Sequence, residues 1–364
     1  MLSEQLVNAG LTVEVFATTA NGQNELPVTS GVPVDVDGVK VTYFKRITKD
    51  HTHFSPALLK KVWTDAPNFD AVHIHAWWNL VSLFSCILAL TRKVPVIVSP
   101  RGTLSAYSFN NKNIGVKQLI HTLMGKPLLN RCFIHVTSQR EKDAMSALIQ
   151  PRSITVLPNF VRLQPYKPSA EVRDESKLKL IFFSRIEQKK GLDLLIAALA
   201  KVNVPYQLTI AGDGDKDYVE HLKTMAIENN VEDKISWIGF QNENKFALLQ
   251  EYDLFVLPSY DENFGNAVIE SLSVGTSVLI SEQVGLADYV IENKLGWICK
   301  TNADSIAETI NKIGADDKTI LQKIRDIAPG IIHDDFNEKN MVTKYIAMYD
   351  QIKQNDRIQR LRFS

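Results

Sequence analysis

A chain of 364 residues with 45% apolar content is long enough to bury more than one ordinary core, so about two domains is the expectation. Its 41 Lys and Arg balance 41 Asp and Glu, which leaves no net field to draw it toward nucleic acid. Cys86, Cys132 and Cys299 are scattered and form no CxxC pattern, which argues against a disulfide framework or a zinc knuckle and suits a reducing cytoplasm.

The opening "MLSEQLVNAG" has no basic start followed by an apolar stretch and does not read as a signal peptide. The runs "LTVEVFAT", "KVTYFKR" and "AVHIHAW" predict strands. His73 and His75 alternate on the third and share a face; the spacing suits a metal, but with no third ligand nearby a buried structural pair is expected. Residues 76–90, "AWWNLVSLFSCILAL", are shorter than the roughly 20 residues a membrane span needs and are broken by Asn79, Ser82 and Ser85, so they predict a buried helix. Further strands follow at "VPVIVSP", "CFIHVTS" and "SITVLPN". Between the first two of these, Lys112, Lys117, Lys126 and Arg131 surround the helix-like "IGVKQLIHTLM", a surface that could be an ordinary solvated helix or a dock on anionic lipid. Residues 1–170 as a whole carry 18 basic against 10 acidic side chains, and the remainder 23 against 31.

Two prolines and many charges without periodicity mark a linker at residues 163–177, which separates a first domain, 1–162, from a second, 178–339. From Leu178 short apolar runs alternate with amphipathic stretches: "LKLIFFS", "GLDLLIAALAKV", "YQLTIAG", "YVEHLKTMAIENN", "ISWIGF", "DLFVLP", "NAVIESLSVG", "SVLIS". That rhythm predicts a doubly wound α/β fold with a parallel sheet in each domain. A final amphipathic segment, about 340–364, carries Met341, Tyr345, Met348 and Ile352 at helical spacing.

The segment "LFVLPSYDENFGNAVIESLSVG" places Glu262 on a loop after a strand and Glu270 about one turn into the following helix, with Gly265 between them. A helix start presents free N–H groups and a positive dipole end, which is a place for phosphate. Two carboxylates can also flank a scissile glycosidic bond, but their position on one loop and helix argues for holding a nucleotide sugar.

This stretch resembles the donor-site motif of retaining glycosyltransferases of family 4, two glutamates with seven residues between them. "FFSRIEQKKGLDLLIAAL", "LTIAGDGD" and "ISWIGF" are similar to the same family, and "AVHIHAWWN", "VPVIVSPRGTL", "FIHVTSQREKDA" and "ITVLPNF" are similar to members that build bacterial surface polysaccharides. The resemblance covers nearly the whole chain. It implies the GT-B fold, two Rossmann-like doubly wound domains facing a cleft, with the last helix packing back on the first domain. It implies transfer of a sugar from a UDP- or GDP-sugar to a glycan or lipid-linked acceptor, with no metal and no cofactor. Arg185, Lys190 and Glu262 would act in catalysis, and Glu270, Asn263, Phe264, Gly265 and Gly212 would bind the donor. Arg101, Gly102 and His135 would face the acceptor or cleft. Such an enzyme is expected in the cytoplasm or at the inner face of the plasma membrane, with no nucleic-acid partner.

The chain departs from the pattern in beginning at the helix that "LSEQLVNAG" resembles, so a first strand and a glycine-rich loop are expected to be missing from the N-terminal domain. Ser184 stands where a glycine is common, and Phe160 follows Asn159 where a glycine is usual. A nucleotide-sugar epimerase of the same fold, or an impaired nucleotide-sugar binder, are the rival expectations. "GDGDKD" holds only two glycines of the dinucleotide fingerprint, and no GxxxxGK[ST] loop is present.

Overall fold

The structure is a computed structural model and describes residues 1–22, 24–48, 50, 52–105, 107, 121–166, 176–316 and 318–362. Two compact units emerge, one of Met1–Phe160 with Glu338–Ser364, the other of Val161–Asn337.

The first unit opens with α1 (Leu2–Asn8), β1 (Glu14–Thr18), a small hairpin of β2 (Ala20–Asn21) and β3 (Asn24–Glu25), then β4 (Pro33–Val36) and β5 (Val39–Phe44). β5 is the centre of a three-stranded sheet, parallel to β1 and antiparallel to β4. Next come α2 (Pro56–Asp65), β6 (Val72–His75), α3 (Leu80–Thr91), β7 (Val96–Ser99), α4 (Lys126–Leu129), β8 (Phe133–Val136), α5 (Gln139–Leu148) and β9 (Ser153–Val156). Strands β6, β7, β8 and β9 pair in that order in a parallel sheet, and β7 and β8 are buried throughout, as strands covered on both faces must be. The helix predicted over 76–90 begins only at Leu80. Ala76 turns into the left-handed region at φ 66°, and Asn79 caps the helix by accepting the Ser82 N–H at 2.7 Å.

The second unit alternates strictly: β10 (Leu178–Phe183), α6 (Leu192–Leu199), β11 (Tyr206–Ala211), α7 (Lys216–Glu228), β12 (Ile235–Gly239), α8 (Lys245–Gln250), β13 (Leu254–Leu257), α9 (Asn266–Ser273), β14 (Ser277–Ser281), α10 (Ala287–Glu292) and β15 (Gly296–Cys299). All six strands are parallel, in the order β12-β11-β10-β13-β14-β15. The chain therefore winds outward from β10 in one direction and then returns to its other side. That reversal makes β10 and β13 the switch point of the sheet, and in sheets of this kind ligands bind in the crevice beyond the carboxyl ends of such strands. Helices α11 (Ala303–Asp316) and α12 (Lys318–Asp335) complete a core that includes Leu180, Phe182, Leu195, Phe255 and Leu279.

The last helix, α13 (Glu338–Arg362), belongs to the first unit. Its predicted stripe of Met341, Tyr345, Met348 and Ile352 is buried with Ile97 of β7 and Phe133 of β8. No helix among the described residues is long and apolar enough to cross a membrane. Lys126 and Arg131 are exposed, whereas Lys112 and Lys117 lie outside the described residues.

Candidate active site

The crevice between β10 and β13 is built from loops that hold one another. After β10 the chain bridges to the loop after β11, with the Ile186 N–H donating to Asp213 O at 2.8 Å. It then makes a short turn and reaches Gly191 at φ 70°, where a side chain would collide with the Pro258 carbonyl. The β10 and β13 loops can meet only because that position is glycine. Tyr260 fastens them further, its N–H donating to Lys189 O at 2.8 Å and its hydroxyl to Asp193 Oδ2 at 2.8 Å.

Lys190 is buried at 8% exposure and donates through Nζ to Glu262 Oε2, so one charge from each side of the switch in strand order forms an ion pair. The Glu262 backbone is stitched to the loop after β14, its N–H donating to Gln283 O at 3.2 Å and its carbonyl accepting from the Gly285 N–H at 2.8 Å. Gly265, at φ 94°, then turns the chain into α9. Glu270 lies on that helix and accepts from Lys245 Nζ at 2.6 Å. Two lysines thus hold two carboxylates in place. Such a cluster can donate charged hydrogen bonds from its lysines and accept them at its carboxylates, the combination that a phosphate bearing a sugar and a ribose requires.

The other predicted donor-site residues are placed differently. Arg185 is 71% exposed on its side chain and pairs with Glu187 at 2.7 Å, not with Glu262 or Glu270. Phe264 is buried, with its ring 6.3 Å from that of Phe336, so only its backbone could meet a ligand. Gly212 is required by packing, since a Cβ there would overlap the Ser184 carbonyl, and its N–H already donates to Gly239 O at 2.8 Å. Asn263 is half-buried on the loop.

In the first unit, a polar chain runs under the carboxyl ends of β6 and β7. His135 Nε2 lies 3.0 Å from Leu157 O, which can only accept, so the proton sits on Nε2 and Nδ1 accepts from Ser99 Oγ at 2.7 Å. Ser99 in turn must accept from His73 Nε2–H at 2.7 Å, and His73 Nδ1 accepts from the Tyr349 hydroxyl at 2.7 Å. Every donor is spent in one direction, and both imidazoles are neutral. Burial holds His73 well below its ordinary pKa and His135 at about 3. The expectation that His135 faces a ligand is thereby corrected: it is 1% exposed, and both ring nitrogens serve the interior. Gly102 donates its N–H to Glu141 at 3.0 Å, while Arg101 reaches Asn159 and His75.

Residues 165–327 match the family model described as glycosyl transferases group 1, and residues 1–159 match that of a glycosyl transferase 4-like domain. The chain belongs to the group 1 glycosyltransferases, with the GT-B fold. This transferase is 26% identical over 308 residues to an uncharacterised glycosyltransferase of Methanocaldococcus jannaschii, covering 78% of this chain and 77% of that one. It is 27% identical to the GDP-mannose:cellobiosyl-diphosphopolyprenol alpha-mannosyltransferase of Xanthomonas campestris, covering 77% and 70% of the two chains. Among solved structures, Anabaena HepE in complex with UDP-glucose superposes with a TM-score of 0.71 at 19% identity, covering 93% of the transferase and 99% of HepE.

Lys245 was absent from the sequence reading of this glycosyltransferase, yet a signal for it existed. A lysine at the first position of a helix opposes the dipole, and a nearby carboxylate relieves the conflict. Glu270 supplies that carboxylate.

Proposed function

We propose that this glycosyltransferase moves a sugar from a UDP- or GDP-sugar to a glycan or lipid-linked acceptor, with retention of anomeric configuration, in the assembly of a bacterial surface polysaccharide. The observation that carries the reading is the Lys190–Glu262 pair across the reversal in strand order, with Glu270 in the next helix. Charge develops on the departing diphosphate as the glycosidic bond breaks. In this reading Lys190, the N–H groups around Gly265, and Arg185 once its exposed side chain swings inward draw that charge off. Glu270 accepts the donor ribose hydroxyls, and Glu262 holds the transferring sugar. Two relatives support the substrate class, the Xanthomonas campestris enzyme with its GDP-mannose donor and cellobiosyl-diphosphopolyprenol acceptor, and HepE in complex with UDP-glucose.

Steady-state kinetics separate the two glutamates. A hydrogen bond to an ionised carboxylate is worth about 1.5–3 kcal/mol, roughly ten- to a hundredfold. Glu270→Ala therefore raises the donor KM by about that factor, whereas Glu262→Ala lowers kcat with little change in KM. Wild-type constants in both variants would refute the assignment, and product formed from donor alone would make the protein an epimerase.

A further inference from the structure

We propose that Arg101 and His75 form an oxyanion subsite at the carboxyl ends of β6 and β7, taking a phosphate or carboxylate carried by the acceptor; the acceptor attribution rests on the function proposed above. The donor set is one-sided. Arg101 donates to Asn159 Oδ1 and to His75 Nδ1, the latter at 3.4 Å, and no carboxylate among the described residues pairs with it. A guanidinium can only donate, so His75 Nδ1 accepts and its proton sits on Nε2. That Nε2–H takes no partner among the described residues, and His75 keeps an exposed edge. The remaining guanidinium N–H groups and one imidazole N–H thus present donors without a competing acceptor, which selects for oxygen carrying negative charge.

The subsite is held rigidly from beneath. The His75 ring stacks on His73 with centroids 4.3 Å apart, and His73 is fixed by Ser99 and Tyr349. Desolvation of the ring, with the Arg101 charge second, holds the His75 pKa at about 4, so the imidazole is a neutral donor at ordinary pH. The backbone is forced into shape at the same place: Ala76 and Arg101, each just beyond its strand, adopt φ of 66° and 55°, and the Ala76 N–H donates to Ser99 O at 2.9 Å. Left-handed backbone at non-glycine residues is costly and clusters where a ligand is gripped.

The test is a titration of the full chain with inorganic phosphate, chloride serving as the ionic-strength control, read by the ring signals of His75 in protein labelled at histidine. Phosphate is expected to shift His75 saturably. Arg101→Gln should weaken that binding at least tenfold and Arg101→Lys by less, while His75→Phe, which preserves the stack on His73, should weaken it in calorimetry. No saturable shift beyond that of chloride, or an equal shift in Arg101→Gln, would overturn the subsite. Repeating the titration with saturating UDP or GDP separates the sources. Unchanged phosphate affinity supports the acceptor, and displacement assigns the oxyanion to the donor and overturns the proposal. Phosphate binding at His75 in a chain that binds neither nucleotide would support the subsite and sink the donor reading instead.

Discussion

Lys190 and Glu262 are nearly removed from water, with 10% and 16% of their side chains exposed. An ion pair in that setting adds little stability as a whole, because desolvation cancels most of the attraction, but removing one partner strands the other. Lys190→Met is therefore expected to cost about 3 kcal/mol in urea unfolding. Adding Glu262→Met to it should restore most of that loss without restoring turnover, the signature of a pair kept for chemistry. Arg185 contrasts with it: its exposed pair with Glu187 is worth at most about 1 kcal/mol, so Arg185→Ala should leave stability unchanged and show only in catalysis. Both carboxylates were legible in the sequence because a strand, a loop and a helix follow one another there without interruption. The contact of Lys245 with Glu270 spans 25 positions, so a lysine opening a helix signals a nearby carboxylate without saying which one.

At the scale of elements, the site depends on two loops approaching through Gly191. Gly191→Ala combines a left-handed φ with a Cβ that meets the Pro258 carbonyl, so the β10 and β13 loops must separate. The expected result is a lowered thermal midpoint, with kcat falling further than Glu262→Ala alone produces, measured on the same preparation. The packing of α13 over His73 and His135 makes stability depend on pH. His73 and His135 have pKa values below the unfolded value near 6.5, so the unfolded chain binds more protons as the medium acidifies. Stability should fall as pH drops below about 6.5, with His135 contributing until about 3. His135→Gln should flatten that slope; an unchanged slope would show that the neutral chain does not secure α13. The enclosure of His135 was hidden in the sequence because the Tyr345 ring that packs on it lies 210 positions away. The α13 stripe was readable because Met341, Tyr345, Met348 and Ile352 declare a helical face by spacing alone.

Over the whole molecule, each unit is built on a parallel sheet whose central strands are buried on both faces. The second unit holds two Lys–Glu pairs, and the first sets Arg101 and His75 over a neutral hydrogen-bonded chain. Family and fold were readable from the chain because its motifs sit at the junctions of strand, loop and helix, and both family models match. Calorimetry of nucleosides against nucleoside diphosphates tests directly whether the crevice between β10 and β13 grips a diphosphate. UDP or GDP should bind at least tenfold tighter than uridine or guanosine, and Lys190→Ala should abolish most of that gain. Equal affinity for nucleoside and diphosphate, or a gain untouched by Lys190→Ala, would contradict the account.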